Sequence, residues 1–238
     1  MVTINHNESE HSTDDMPRER FLAKGASSLS NAELLAVLLR SGVHGTPVMM
    51  LAEELLASHD NNLLTLSAAT PDELSKIHGM GMAKSIGLAA AFELGRRMVK
   101  LRLTTQPKLT SPGPIAEYMQ SLLSNSTQEE FHIFLLNARL QLIRETCVTV
   151  GLVDRSLIHA REVFREAIKD SASAIILAHN HPSGDVIPST EDIEATRNLI
   201  KSGEIIDIRV IDHIIVATPQ KLGQPSYFSF KENKLLFS

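Results

Sequence analysis

The sequence predicts an α/β (α+β) protein in two parts, an all-helical N-terminal domain followed by a mixed β-sheet domain flanked by helices. Three observations predict it. Up to about residue 104 the apolar residues recur at helical spacing, broken by helix start and stop signals. Residues 101–114 lose that periodicity and carry Pro107, Pro112 and Pro114, which marks a linker at 105–114. Beyond it, short strand-like runs alternate with helical patterns, as in layered α/β domains. The expected parts are a disordered tail at 1–15, a helical domain at 16–104, the linker, and a sheet domain at 115–238.

The tail, MVTINHNESEHSTDD, is polar and acidic and has no signal-peptide core. The first strong helix starts at Ser30-Asn31-Ala32-Glu33 and runs through LLAVLLR to a stop at Gly42 and Gly45. Pro47 opens the next, through MMLAEELLAS. Thr70 can cap a third, with Pro71 in its first turn. The domain closes on KIHGMGMAKSIGLAAAFELGRRMVK, a strong helix of Ala, Leu and Met. Within it, Ile77-His78-Gly79-Met80-Gly81 resembles the hairpin of a helix-hairpin-helix module. There, Gly79 and Gly81 would let backbone N–H groups approach a DNA phosphate, and Lys84 would add charge. A tight helix–helix turn that needs glycine for packing alone reads equally well.

Residues 115–123 read as a short helix, and 131–136 and 140–150 as two strands joined by a turn at Asn137-Ala138-Arg139. Residues 161–168 form a helix, 205–216 late strands and 227–230 another strand. The single cysteine, Cys147, excludes an internal disulfide and suits a reducing cytoplasm. Lying in a strand-like run, it reads as a buried, inert thiol. No apolar run approaches the roughly 20 residues needed to span a membrane, so a cytoplasmic protein with no membrane partner is expected. A net charge of −5 gives no overall footprint for nucleic acid. Residues 1–105 hold 10 Lys and Arg against 12 Asp and Glu.

Chemistry concentrates at 174–192, AIILAHNHPSGDVIPSTED. In a strand, residues i and i+2 share a face, so His179 and His181 at a strand end can present both imidazoles to one ion. A catalytic zinc takes about three protein ligands and keeps a position for water. Asp192, in the first turn of the next helix, is the nearest third ligand, and the helix N-terminus favours its ionised form. Pro182, Ser183 and Gly184 allow the turn between them. Taken alone, Ser189-x-x-Asp192 is also a capping box. The literal tripeptide His179-Asn180-His181 has no bearing on nucleases named for three scattered residues.

His179, His181, Ser189 and Asp192 resemble the JAMM (MPN+) metalloprotease motif. The text LAHNHPSGD followed by PSTED, and the N-terminal MPRERFLAKGASSLSNAELLAVLLRSG, are similar to the RadC-like (UPF0758) branch of that superfamily. The resemblance covers nearly the whole chain. It implies an MPN/JAMM domain at 115–238 and an upstream glutamate as general base, in a Glu-x-Phe setting before the first strand. Gln128-Glu129-Glu130-Phe131 supplies Glu129. Its neighbour Glu130 would face the opposite way, and Glu162 lies on a solvated helix face. The family's Pro before Arg-Glu is Ala160 here, before Arg161-Glu162. Asp212-His213 resembles a late Leu-Asp-His, either a carboxylate orienting a ligand histidine or a buried structural pair.

The resemblance therefore implies a zinc-dependent hydrolase of amide or isopeptide bonds in proteins or peptides, with one Zn²⁺ per chain. His179, His181 and Asp192 would hold it, Glu129 would act as base, and Ser189 would donate to the oxyanion. The alternative is a DNA-binding, repair-associated protein whose metal site is structural or vestigial.

Overall fold

Nine α-helices and five strands lie among residues 16–123, 126–151, 158–217 and 225–236, which are those described by the computed structural model. The expected tail at 1–15 lies outside them. Contacts divide the chain into two units, Met1–Ala91 and Phe92–Ser238.

The first unit holds α1 (Pro17–Lys24), α2 (Asn31–Leu39), α3 (Val48–Ala57), α4 (Leu63–Ala68), α5 (Pro71–Ser75) and the start of α6 (Met82–Thr104). Ser30 and Thr70 both form the predicted kind of start, a capping box with Glu33 and with Glu73. The short α4, capped by Asn62, was not visible as a separate pattern. Helix α2 ends earlier than the glycines suggest, at Leu39, because Arg40 adopts the left-handed region (φ 67°) and closes the turn itself. Leu35, Leu39, Leu51, Leu55, Leu66, Leu74, Met80 and Leu88 are buried.

The second unit is built on one mixed sheet of β1 (Glu130–Leu136), β2 (Leu142–Val150), β3 (Ala174–Asn180), β4 (Arg209–Val216) and β5 (Tyr227–Ser229), in the order β2-β1-β3-β4-β5. Only β3 and β4 are parallel. Strand β3 is central and buried at every residue, which explains its unbroken apolar run. One sheet face, with Phe134, Leu136, Ile176 and Ile214, packs on α7 (Gly113–Leu123) through Ile115 and Met119. The other, with Phe131, Ile133, Ile175 and Leu177, packs on α8 (Ala160–Lys169) and α9 (Thr190–Ile205) through Val163, Phe164 and Leu199. Residues 105–112 form no helix, as their prolines require, yet Leu109 is buried and its N–H donates to the Leu140 carbonyl.

Two sequence expectations fail here. The run Ile205-Ile206-Asp207-Ile208 does not begin a strand. It ends α9: the Gly203 carbonyl accepts from the N–H groups of Ile206 and Ile208, and Asp207 takes a left-handed φ of 58°. Cys147 is exposed rather than buried, because β2 is an edge strand.

Gly203 is required by that same turn. A Cβ there would sit 2.3 Å from the Ile208 carbonyl oxygen and 3.1 Å from the Phe164 ring. Alanine would improve helix propensity by about 1 kcal/mol. Overpacking against backbone costs about 1–3 kcal/mol or more. Gly203→Ala is therefore expected to destabilise the protein by about 2 kcal/mol, read as a lower urea midpoint.

Candidate metal centre

The centre forms where the end of β3 meets the start of α9. His179 lies in the last turn of strand pairing, between Phe131 of β1 and Ile215 of β4. His181 follows just beyond, its N–H bonded to the Val216 carbonyl. Ser189 caps α9: its Oγ accepts the Asp192 N–H at 3.1 Å, while its N–H and O–H donate to Asp192 Oδ2 at 2.8 and 2.6 Å. The capping box and the proposed third ligand are thus the same feature. The cap aims Asp192 at the histidines, with Oδ1 3.3 Å from His179 Nε2 and Oδ2 3.6 Å from His181 Nε2. His179, His181 and Asp192 are all buried.

Hydrogen bonds fix which ring nitrogens carry protons in the neutral imidazoles. His181 Nδ1 lies 2.7 Å from the Asp185 carbonyl, which can only accept, so Nδ1 holds the proton. Thr196 donates its hydroxyl to the Asp192 carbonyl at 2.6 Å, so its oxygen accepts from His213 Nδ1 at 2.6 Å. His213 Nε2 is then an acceptor, and it receives the proton of His179 Nδ1 at 2.8 Å. In their neutral forms both histidines are left with lone pairs on Nε2, and these two atoms face each other at 2.8 Å beside a carboxylate. Three electron-rich atoms converging in a buried site favour positive charge between them, either a proton on the histidine pair or a metal ion in its place. Burial alone would raise the Asp192 pKa. With a proton on the histidine pair, the hydrogen bond from His181 and the charge of His179 join the bonds from Ser189 in holding it far below the usual carboxylate range. The three residues could hold a metal ion, and two imidazoles with one carboxylate suit an open zinc site.

The residues read from the sequence fall as follows. Glu129 lines a small pocket together with His179, Asp192, Phe131, Thr149 and Ile158. The register explains this: Phe131 pairs with His179 and stacks on its ring at 6.1 Å, and Glu129 lies two residues before it. Although Glu130 also reaches that pocket's wall, its carboxylate is bonded to Ser126 and His132. Glu162 is paired with Arg161 and Arg165 on α8, as its helix face suggested. Asp212 does not orient a histidine ring. It accepts from Ser229 Oγ and from the N–H groups of His213 and Lys231, and burial still pushes its pKa up. The His213 ring orients His179 instead, clamped between Phe230, stacked at 4.8 Å, and the edge-on Phe131 at 5.6 Å. Thr196 was missed, although its position four residues after Asp192 puts it on the same helix face.

In the first unit, Gly79 has a φ of 87°, and a Cβ there would press on Val43 and Leu51 at 3.2–3.3 Å. Gly81 has open space around it. Lys84 Nζ donates to the carbonyls of Ser41 at 2.6 Å and Gly79 at 3.1 Å. Among the described residues, no helix is long and apolar enough to cross a membrane.

Comparison with known proteins agrees with this geometry. Residues 109–235 match the model of the RadC-like JAB domain, and residues 9–86 match the UPF0758 N-terminal model. UPF0758 proteins of Bacillus cereus (strain AH187), Bacillus anthracis (strain A0248) and Bacillus thuringiensis subsp. konkukian (strain 97-27) are each 46% identical over 219 residues, covering 92% of this chain and 94% of theirs. With its buried histidine–aspartate cluster carried on a RadC-like JAB domain, the chain belongs to the UPF0758 family.

Proposed function

We propose that this protein is a zinc-dependent hydrolase of amide or isopeptide bonds in protein or peptide substrates. The observation that carries the reading is the convergence of His179 Nε2, His181 Nε2 and the Asp192 carboxylate, with both Nδ1 protons held elsewhere. Bound there, zinc would act as a Lewis acid and lower the pKa of a water toward about 7. Glu129, on the wall of the same pocket, takes the proton from the attacking water and delivers it to the leaving amine. Phe131 and Ile158 supply apolar walls that strengthen electrostatic interactions inside the pocket. Ser189 holds Asp192, and its hydroxyl reaches a developing oxyanion only by rotating off that carboxylate.

The second reading, DNA binding through Gly79, Gly81 and Lys84, draws less from the geometry. Gly79 is explained by its backbone conformation and packing, and the Lys84 ammonium already serves two carbonyls. Only Gly81, open at the start of α6, is placed for backbone approach.

Elemental mass spectrometry on the untagged full chain tests the metal. His179→Ala/His181→Ala is expected to hold about one zinc per chain less than the wild type. A chelator is expected to abolish cleavage of peptide or isopeptide substrates, and added zinc to restore it. Equal metal in wild type and variant would remove the proposed centre.

A further inference from the structure

Strand β1 carries a second constellation, on the face away from His179. Glu130 and His132 are two residues apart on β1 and share a face, and Cys147 of β2 is the cross-strand partner of His132. A carboxylate oxygen, an imidazole nitrogen and the thiol sulfur of these residues all lie within 4.8 Å of one another. In a tetrahedral zinc site with bonds of about 2.0–2.3 Å, ligand atoms stand roughly 3.3–3.8 Å apart. Glu130 Oε2 is 3.2 Å from His132 Nε2, so that pair is already close to the spacing a zinc ion needs. Closing the set takes about an ångström of side-chain movement.

The histidine ring is also held in orientation. It is buried, with 2% exposure, and its Nδ1 lies 2.6 Å from Glu145 Oε1. Glu145 is held in turn by the Tyr118 hydroxyl, which donates to Oε2 at 3.0 Å. Carboxylates accept at both ring nitrogens, Glu145 at Nδ1 and Glu130 at Nε2. Burial opposes the charge, but the bonds to Cys147 and Glu145 raise the His132 pKa to about 10, so an ion binds by displacing the Nε2 proton. Carboxylate–histidine pairs of this kind orient ligands in zinc sites. Cys147 is exposed, which gives an ion a path in. Sulfur, nitrogen and oxygen donors together favour zinc-class ions over magnesium or calcium.

We propose that Glu130, His132 and Cys147 form a second binding site for a zinc-class divalent ion, separate from the centre at His179, His181 and Asp192. Such an ion would pin the edge strand β2 to β1.

Cobalt provides the test, because a cobalt–thiolate bond absorbs in the near ultraviolet and the chain has only one cysteine. The full-length protein is stripped with a chelator and titrated with Co²⁺. The expected result is a thiolate charge-transfer band in the wild type that persists in His179→Ala/His181→Ala and vanishes in Cys147→Ser. Cys147→Ser should also bind one cobalt fewer per chain. Glu130→Gln should weaken the cobalt affinity that the band reports by about tenfold, an effect that chance binding to a lone thiol would not show. Absence of the band in the wild type overturns the proposal, as does a Glu130→Gln affinity equal to wild type. Failure of the first centre is distinguishable, since it would leave the band intact and remove only the cobalt lost in the double histidine variant.

Discussion

Glu129→Gln is expected to keep its zinc and lose at least about 100-fold in turnover, because positioned acid–base groups contribute roughly 10²–10⁴-fold. The two halves of this result come from different atoms. In the proposed centre the metal would be held by His179, His181 and Asp192, and Glu129 is not in that set. Glutamine has nearly the volume of glutamate, so the pocket wall beside Phe131 and Ile158 is preserved. What is lost is a carboxylate able to take a proton and return it. Glu162→Gln serves as the control: that carboxylate faces Arg161 and Arg165 on α8, and turnover should match wild type. Both variants are assayed on whichever peptide or isopeptide substrate the wild type cleaves, with zinc content measured in parallel. Normal hydrolysis by Glu129→Gln would show that the base lies elsewhere. Loss of zinc together with activity would mean that residue 129 supports the metal rather than the proton transfer.

The choice between Glu129 and Glu130 shows how far the sequence could be read. Strand alternation says that only one of the two can face the histidines, and the resemblance selects the first. The register then supplies the physical cause, since Phe131 pairs with His179 and carries Glu129 to that face. His179, His181 and Asp192 were legible because a strand end and a helix cap are local signals, two residues and one turn long. The capping-box reading of Ser189 and Asp192 does not compete with the metal reading, because the box exists and turns the Asp192 carboxylate toward the two histidines. The partner of His179 was not legible. It depends on the parallel register of β3 and β4 and on the seat of α9, and so the sequence offered Asp212 as an orienting carboxylate, or Asp212-His213 as a structural pair, and not the His213 ring. Cys147 was misjudged for a related reason. A strand-like run does not say whether its strand is central or at an edge, and β2 is at the edge.

Thr196→Val is expected to weaken zinc binding by about 10- to 100-fold, the usual range for changes just outside the ligand set, although residue 196 touches no ligand side chain in the hydrogen-bond chain except through His213. The threonine hydroxyl donates to the Asp192 carbonyl and so must accept from His213 Nδ1. Without it, His213 Nδ1 loses the hydroxyl acceptor that favours a proton there. With the proton on Nε2, His213 donates to His179 Nδ1, and the proton of His179 moves to Nε2, the atom that should bind the ion. One lost hydroxyl is thereby passed through two rings as a change of tautomer. Competition against a chromophoric chelator measures the affinity, and Thr196→Ser provides the decisive comparison. Thr196 is buried, so a pure packing role predicts that valine, which fills the space, is tolerated better than serine, which leaves a gap. A tautomer-setting role predicts the reverse order, with serine close to wild type and valine impaired. Equal affinities in the valine variant and the wild type would break the chain of inference at its first link and leave the proton of His179 to be set by something other than Thr196 and His213.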